Sequence, residues 1–327
     1  MSAKKIVSVA LMVVVLFVLA GWKSKTSTQM KLNLSPQSET TYRAVAELGK
    51  DYSFFQPSVN KTKEQHTVGR VEMVFVQKVE SVSSKGIAAA IITIKELKYI
   101  TDSQKDAGSN FDSTSENAKS DPMFALIGQS YKISIDPNGA VAVLDAKAVR
   151  SAIASGFAKK FADKIFSDEE IKNRHQVLAL MNADKAGKNG NKMASKKGDK
   201  WVAVSSSPQG MLKPKTFEKT YTITGIKLQG KEQIATVTMD AAPSSKGAEI
   251  PTKEEAGMGF FANMFDETDS YTGKMVINLT TGQIISYTES LKAEWVAVEP
   301  AEEQKSDKGP DRLIMGFKSL YSIEKVK

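Results

Sequence analysis

Few of the reactive side chains in this chain stand at spacings that catalysis needs. There are two histidines, His66 and His175, and no cysteine. That excludes disulfides, zinc–thiolate centres, iron–sulfur clusters and thiol nucleophiles, and leaves too few imidazoles for a multi-histidine metal site. No Gly-Lys-Ser/Thr phosphate loop, His-Glu-x-x-His helix, Gly-x-Ser-x-Gly elbow or strand-linked dinucleotide fingerprint occurs. Gly257-Met258-Gly259 is an isolated glycine pair rather than a phosphate cradle. Asp168 and Glu169 resemble paired carboxylates, but acids in a helix first turn complement the backbone dipole. The polar stretch Thr101–Asp121 lacks the ligand alternation and central glycine of a calcium loop, and is expected to be a solvated loop. The expectation is therefore a non-enzyme, with no catalytic residue, no metal and no cofactor. His175 is expected on a helix in a structural role.

What the sequence offers instead is apolar surface. Met123, Phe124 and Leu126 fall in Pro122–Ile127, and Met258, Phe260, Phe261, Met264 and Phe265 fall in Gly257–Phe265. Both groups lie outside the main strand patterns, and methionine with phenylalanine makes adaptable apolar surface. These are the candidate ligand-binding residues, for a lipid or another apolar molecule. The competing reading is that they are simply core.

The elements that would position them are mostly strands. Gly128–Asp145 alternates apolar and polar residues around the turn Asp136-Pro137-Asn138-Gly139, and Lys274–Tyr287 repeats the pattern around Thr280-Thr281-Gly282. Long alternating runs cover Val68–Val82, Ile87–Ile100 and Ile285–Ala297, the last interrupted by Glu289. Gly49–Gln65 is expected to be a loop. Val149, Ile153, Phe157, Phe161 and Ile165 predict one amphipathic helix over Asp145–Phe166. Ser167 with Glu170 forms a capping box that starts a second, Asp168–Ala183. Thr252 with Glu255 predicts a further helix, Lys253–Phe265. Phe75–Ile94 and Thr222–Met239 match at a constant offset (Val79 with Ile226, Ala88 with Ala235), and each precedes an excursion and a hairpin.

The expected fold is α+β and β-rich: two similar lobes of long, curled antiparallel strands, with amphipathic helices between and against them. The divisions are 1–22, a signal peptide or N-terminal membrane anchor; 23–40, a tether; 41–144, the first β lobe; 145–183, a helical segment; 184–200, a Lys-rich linker; and 201–327, the second β lobe.

The chain of 327 residues carries a net charge of +8, and part of that excess sits in the linker stretch Ala186–Lys200. No aromatic residues interleave those lysines to stack bases, so nucleic acid is not an expected partner. Lys4 and Lys5 precede the apolar run Ile6–Ala20, the pattern of an export signal. Trp22 and Lys23 suit the membrane interface if the run is retained as an anchor. Leu19-Ala20-Gly21-Trp22 departs from a lipoprotein box by carrying Trp where the acylated Cys would stand. The expected location is the periplasm or outer side of the membrane.

Lys31–Leu34 (Lys-Leu-Asn-Leu), Phe111-Asp112-Ser113, the Asp136–Gly139 turn, Gly198–Trp201 (Gly-Asp-x-Trp) and Thr281–Gln283 follow one another in an order that resembles an uncharacterised exported, lipoprotein-like bacterial family, domain of unknown function 6263. The resemblance runs from Lys31 to the C-terminus. It implies an envelope location and a β-rich fold, and it brings no catalytic residues. The expected function is a non-enzymatic envelope protein that binds a lipid or other apolar ligand. The alternative is an envelope surface module that contacts another protein and has no small-molecule site.

Overall fold

A computed structural model of the chain describes residues 29–103, 110–186, 193–208, 210–212, 215–245, 265–302, 304 and 307–326. The chain begins with a long meander, β1 (Glu39–Gln56), β2 (Lys61–Val82) and β3 (Ala88–Ser103), then short β4 (Asn110–Asp112), β5 (Ser130–Ile135) and β6 (Val141–Asp145). Helices α1 (Lys147–Ser151), α2 (Gly156–Ile165) and α3 (Asp168–His175) follow. A second run of strands comprises β7 (Lys200–Ser206), β8 (Thr216–Gln229), β9 (Glu232–Ser244), β10 (Asp266–Asn278), β11 (Gln283–Val298) and β12 (Arg312–Lys325). The fold is β-rich α+β, as expected, but the strands make one sheet in the order β6-β5-β3-β2-β1-β12-β11-β10-β9-β8-β7, with β4 paired only to β3. The ladders are antiparallel. β12 joins the two runs by pairing with β1 from Tyr42↔Lys325 to Phe55↔Arg312.

The alternation read from the sequence decides which face is buried. Met73, Phe75 and Val79 on β2, Ile92 and Ile94 on β3, and Tyr287, Leu291 and Trp295 on β11 all point to one inner face and are buried. The sheet curls around that face. The Leu32 amide donates to Pro137 O (2.8 Å), in the β5–β6 turn, and the next amide, Asn33, donates to Gly282 O (3.2 Å), in the β10–β11 turn. On a flat sheet β5 and β11 would stand about five strand spacings, or roughly 24 Å, apart. Consecutive amides of one segment instead reach both turns. Gly282 is required there: its φ is +66°, and a Cβ would lie 2.1 Å from the Asn33 nitrogen. The two sheet edges are bridged as well. Val177 N donates to Gly139 O (3.0 Å) beside β6, Trp201 Nε1 of β7 donates to Ala179 O (2.9 Å), and Asn182 Nδ2 donates to Val202 O (3.3 Å).

Several expectations are corrected. The stretch expected to be a tether contributes Met30 and Leu32 to the core, because its amides serve the two turns. Gly49–Gln65 is not a loop: β1 and β2 pair through it from Gln56↔Lys61 inward, turning at Pro57–Val59 with Asn60 left-handed. Asp145–Phe166 is two helices, since Gly156 has φ +84° and breaks the run. The helix predicted over Asp168–Ala183 stops at His175. Its Ser167 cap is made, with the hydroxyl accepting from Glu170 N at 3.2 Å, but Gln176 is extended and the chain peels away to bond the first hairpin turn. Within Thr101–Asp121, Phe111 and Ala118 are buried. Ala194, in the expected linker, is fully buried and bonds Met30 and Ala183. The segment 1–22 with Trp22 and Lys23, and the predicted helix Lys253–Phe265 up to Met264, lie outside the described residues. Among the described residues no helix is long and apolar enough to cross a membrane.

Candidate functional site

The inner face is covered along only part of its length. Where β1, β2 and β3 run beneath the helices, Tyr42, Ala44, Met73, Phe75, Ile92 and Leu97 are buried. The registers then align Tyr321, Ala46, Val71 and Tyr99 in one cross-strand row on the same face, and Ser319, Leu48 and Gly69 in the next. Here Ala46 is exposed and Leu48, Val71, Tyr99 and Tyr321 are half-buried. The side of the strands is unchanged; what ends is the cover. Phe161 on α2 packs tilted against Tyr99 with ring centroids 4.0 Å apart, whereas Phe157, one turn earlier, is 60 % exposed. Phe157 was expected on the packed face of that helix, and it projects past the covered region instead. The result is an apolar trough. It spans these two rows only: Phe317, the next inner residue of β12, is buried again, and its partner on β1 is Lys50.

Two polar clusters stand on the inner face. The first is closed. Lys219 and Glu289 are buried, and Lys219 Nζ donates to Glu289 Oε2 (2.7 Å) and to Tyr271 OH (2.8 Å). Tyr271 OH donates to Glu289 Oε2 (2.7 Å), and Tyr287 OH donates to Oε1. Lys219 lies on β8 and Glu289 on β11. The ammonium crosses the small Ala241, which pairs with both Lys219 and Tyr271. Burial lowers the Lys219 pKa and the Glu289 charge only partly restores it; burial, then the Glu289 charge, raises Tyr271 and Tyr287. Glu289, which looked like an interruption of an apolar strand, is the anchor of this network. The signal was available: Lys219 also sits at an inward position, between Phe217 and Tyr221, and two opposite charges at apolar positions imply pairing.

The second cluster is open. Tyr131 OH and His175 Nε2 lie 2.6 Å apart in the core, and His175 stands edge-on to Phe75 at 4.8 Å. Burial, reinforced by the Arg174 charge, holds the His175 pKa well below its ordinary value. The ring is therefore neutral, and Nε2 accepts from Tyr131. Burial raises Tyr131, although the Arg174 charge and its hydrogen bonding to the phenol oppose that. Arg174 Nη2 donates to Ile165 O (2.7 Å), its guanidinium lies 5.5 Å from the centre of the Phe166 ring, and its carbonyl accepts from Tyr321 OH (2.6 Å). Arg174 Nη1 is buried without a hydrogen-bond partner, and among the described residues no carboxylate forms an ion pair with Arg174.

A groove of about 590 Å³ lies on the opposite, outer face. The registers put Glu294, Gly316, Asp51 and His66 in one row there, and the missing side chain of Gly316 leaves the gap. Asp51 Oδ1 pairs with His66 Nδ1 (2.5 Å) and Oδ2 with Lys318 Nζ (3.5 Å). Burial would raise Asp51, but these partners hold its carboxyl below the usual range. A His–Asp pair can serve as a base, yet no hydrogen bond joins His66 Nε2 to a hydroxyl among the described residues. No group of three or more His, Asp or Glu that could hold a metal occurs among them either.

The structure separates the candidate ligand residues. Met123 and Leu126 are buried core on the short turn Pro122–Leu126, which packs against α2; Phe124 is half-buried there. Phe265 is half-buried at the start of β10, and Met258, Phe260, Phe261 and Met264 lie outside the described residues. The trough residues were not singled out because each obeys the same alternation as its covered neighbours.

No family model matches the chain, so the resemblance to domain of unknown function 6263 gains no support there, and no curated relative matches it. Among solved structures, a lipovitellin structure concerned with lipid–protein interactions is similar at TM-score 0.38 and 10 % identity, over 90 % of this chain and 25 % of that one. This chain thus spans a quarter of the lipovitellin chain. A DUF1329 family protein from Desulfovibrio piger is similar at TM-score 0.14 and 8 % identity, over 88 % and 86 % of the two chains. Likeness at this level assigns neither fold nor function to the present chain.

Proposed function

We propose that the chain is a non-enzymatic, exported envelope protein that holds a lipid or other apolar molecule on the inner face of its curled sheet. One observation carries this reading. The face that forms the core continues into the uncovered apolar patch of Ala46, Leu48, Val71 and Tyr99, with the exposed Phe157 one helix turn from the Phe161 that packs on Tyr99. Exposed apolar surface on a concave face is retained against its solvation cost when something else covers it. Phe124 and Phe265 stay in the proposal as contact residues at its margins. The export pattern before residue 23 supports an envelope location, with residues 6–22 as signal or anchor.

A duplicated unit also belongs to this reading. From one edge the sheet runs β6-β5-β3-β2-β1, and beyond β12 it runs β11-β10-β9-β8-β7, so corresponding strands recur in the same order. The registers differ in detail: Val79 pairs with Ala90, whereas Ile226 pairs with Ala235.

Native mass spectrometry of the protein purified from the envelope tests the proposal. Co-purifying lipid, or uptake of a supplied long-chain lipid, is the expected result. Repeated preparations that carry none and take up none would reject ligand carriage and favour a protein-contact module, identifiable by crosslinking. Fractionation of cells with and without residues 1–22 checks the location.

A further inference from the structure

We propose that the apolar molecule is an anionic lipid, and that Arg174 receives its headgroup at the covered end of the trough. The proposal rests on the apolar reading above and adds the charge of the ligand. Carrying a guanidinium into a protein interior is unfavourable unless it is paired or fully hydrogen-bonded. Arg174 is held there deliberately by its surroundings: Nη2 is anchored on Ile165 O, and the plane rests against Phe166. Neither contact neutralises the charge, the Tyr131 phenol beside it is neutral, and Nη1 makes no aligned hydrogen bond. The fold shows that it can supply a carboxylate where one is wanted, since Lys219 receives Glu289 on the same face.

The position fits a headgroup. Tyr321, in the first row of the trough beside exposed Ala46, donates to the backbone of Arg174 itself. The phenols of Tyr131 and Tyr321 are both close enough to Arg174 for its charge to oppose the effect of their burial. A carboxylate or phosphate at Nη1 would satisfy the orphaned donor by a charge-assisted bond. Its chain would then lie across Ala46, Val71 and Tyr99, with Leu48 beside it. The ligand class is therefore an amphiphile with one anionic end and a long apolar chain.

The test titrates the purified full chain with palmitate, hexadecanol and acetate, read by displacement of an uncharged polarity-sensitive dye and by native mass spectrometry. Palmitate is expected to bind at least about tenfold more tightly than hexadecanol, the effect of one charge-assisted bond, with no competition from acetate. Arg174→Gln is expected to abolish the difference between palmitate and hexadecanol. Equal affinity of palmitate and hexadecanol for the unaltered protein overturns the role of Arg174 but leaves the apolar site standing. Binding of neither overturns the apolar site and this inference with it. Acetate competing as well as palmitate shows a free-anion site and overturns the lipid assignment. The comparison on the unaltered protein decides the matter even if the variant does not fold.

Discussion

Two cations are carried toward the interior of this sheet, and the chain provides for them differently. Lys219 meets the Glu289 carboxylate and the Tyr271 hydroxyl, and Tyr287 completes the carboxylate's bonds, in a closed network on β8, β10 and β11. Arg174 meets a helix-end carbonyl and an aromatic face, and keeps one donor unpartnered. A charge satisfied by its own chain belongs to the frame. A charge left unsatisfied beside an uncovered apolar surface is the feature on which the proposed headgroup site rests.

The largest effect should come from breaking the closed network. Lys219→Met leaves Glu289 buried and unpaired, and is expected to remove about 3–5 kcal/mol of stability in denaturant melts. Adding Glu289→Leu should recover part of it, because the unpaired charge is gone while the Tyr271 and Tyr287 hydroxyls lose their acceptor. A loss below about 1 kcal/mol for the single change would put the pair in the class of exposed ion pairs and dissolve the contrast.

Next in size is the strap over the two hairpin turns. Gly282→Ala forces a left-handed residue with a Cβ against Asn33, and is expected to destabilise by about 2–3 kcal/mol. Hydrogen exchange at the Asn33 amide should rise with it. Gly128→Ala, at φ +83° with nothing within 4 Å, is the control and should lose only about 1 kcal/mol.

The pH response probes the open cluster. In the unfolded chain His175 binds a proton near 6.5, and in the folded protein its pKa is well below that value. The folded state thus binds fewer protons below 6.5, so stability is intact above that pH and falls as pH drops beneath it. The slope from this group is at most about 1.4 kcal/mol per pH unit. His175→Gln should flatten the profile between 6.5 and 5.5 in melts at constant ionic strength.

The smallest stability effect belongs to the residue with the largest proposed role. Arg174→Gln removes one bond to Ile165 O and an uncompensated charge, so the net change is expected within about 1 kcal/mol of zero by thermal melting. A loss above about 3 kcal/mol would make Arg174 part of the frame, like Lys219.

Much of the sheet was legible beforehand. The hairpins at Gly128–Asp145 and Lys274–Tyr287 and the Ser167 cap rest on alternation and turn chemistry, which act over a few residues. Gly49–Gln65 was missed because its polar and aromatic residues alternate without a clear apolar face, and only the pairing of β1 with both β2 and β12 makes it strand. The helix over Asp168–Ala183 was overextended because a tertiary bond, Val177 N to Gly139 O, outcompetes further helix. The two apolar excursions drew attention as candidate sites, yet Met123 and Leu126 are core. The trough and Arg174 drew none.

Local pattern alone settled that this chain is β-rich, which side of each clear strand is apolar and where the clear turns lie. Only the tertiary structure decided that the strands form one sheet, that Leu32 and Asn33 join two distant turns, and that helices cover part of the inner face and leave part bare. The reason is that each of these depends on curl and on contacts between remote residues. Lys219 finds Glu289 across 70 residues, and Tyr321 finds Arg174 across 147. A side chain's alternation names its face, but not whether anything will arrive to cover it.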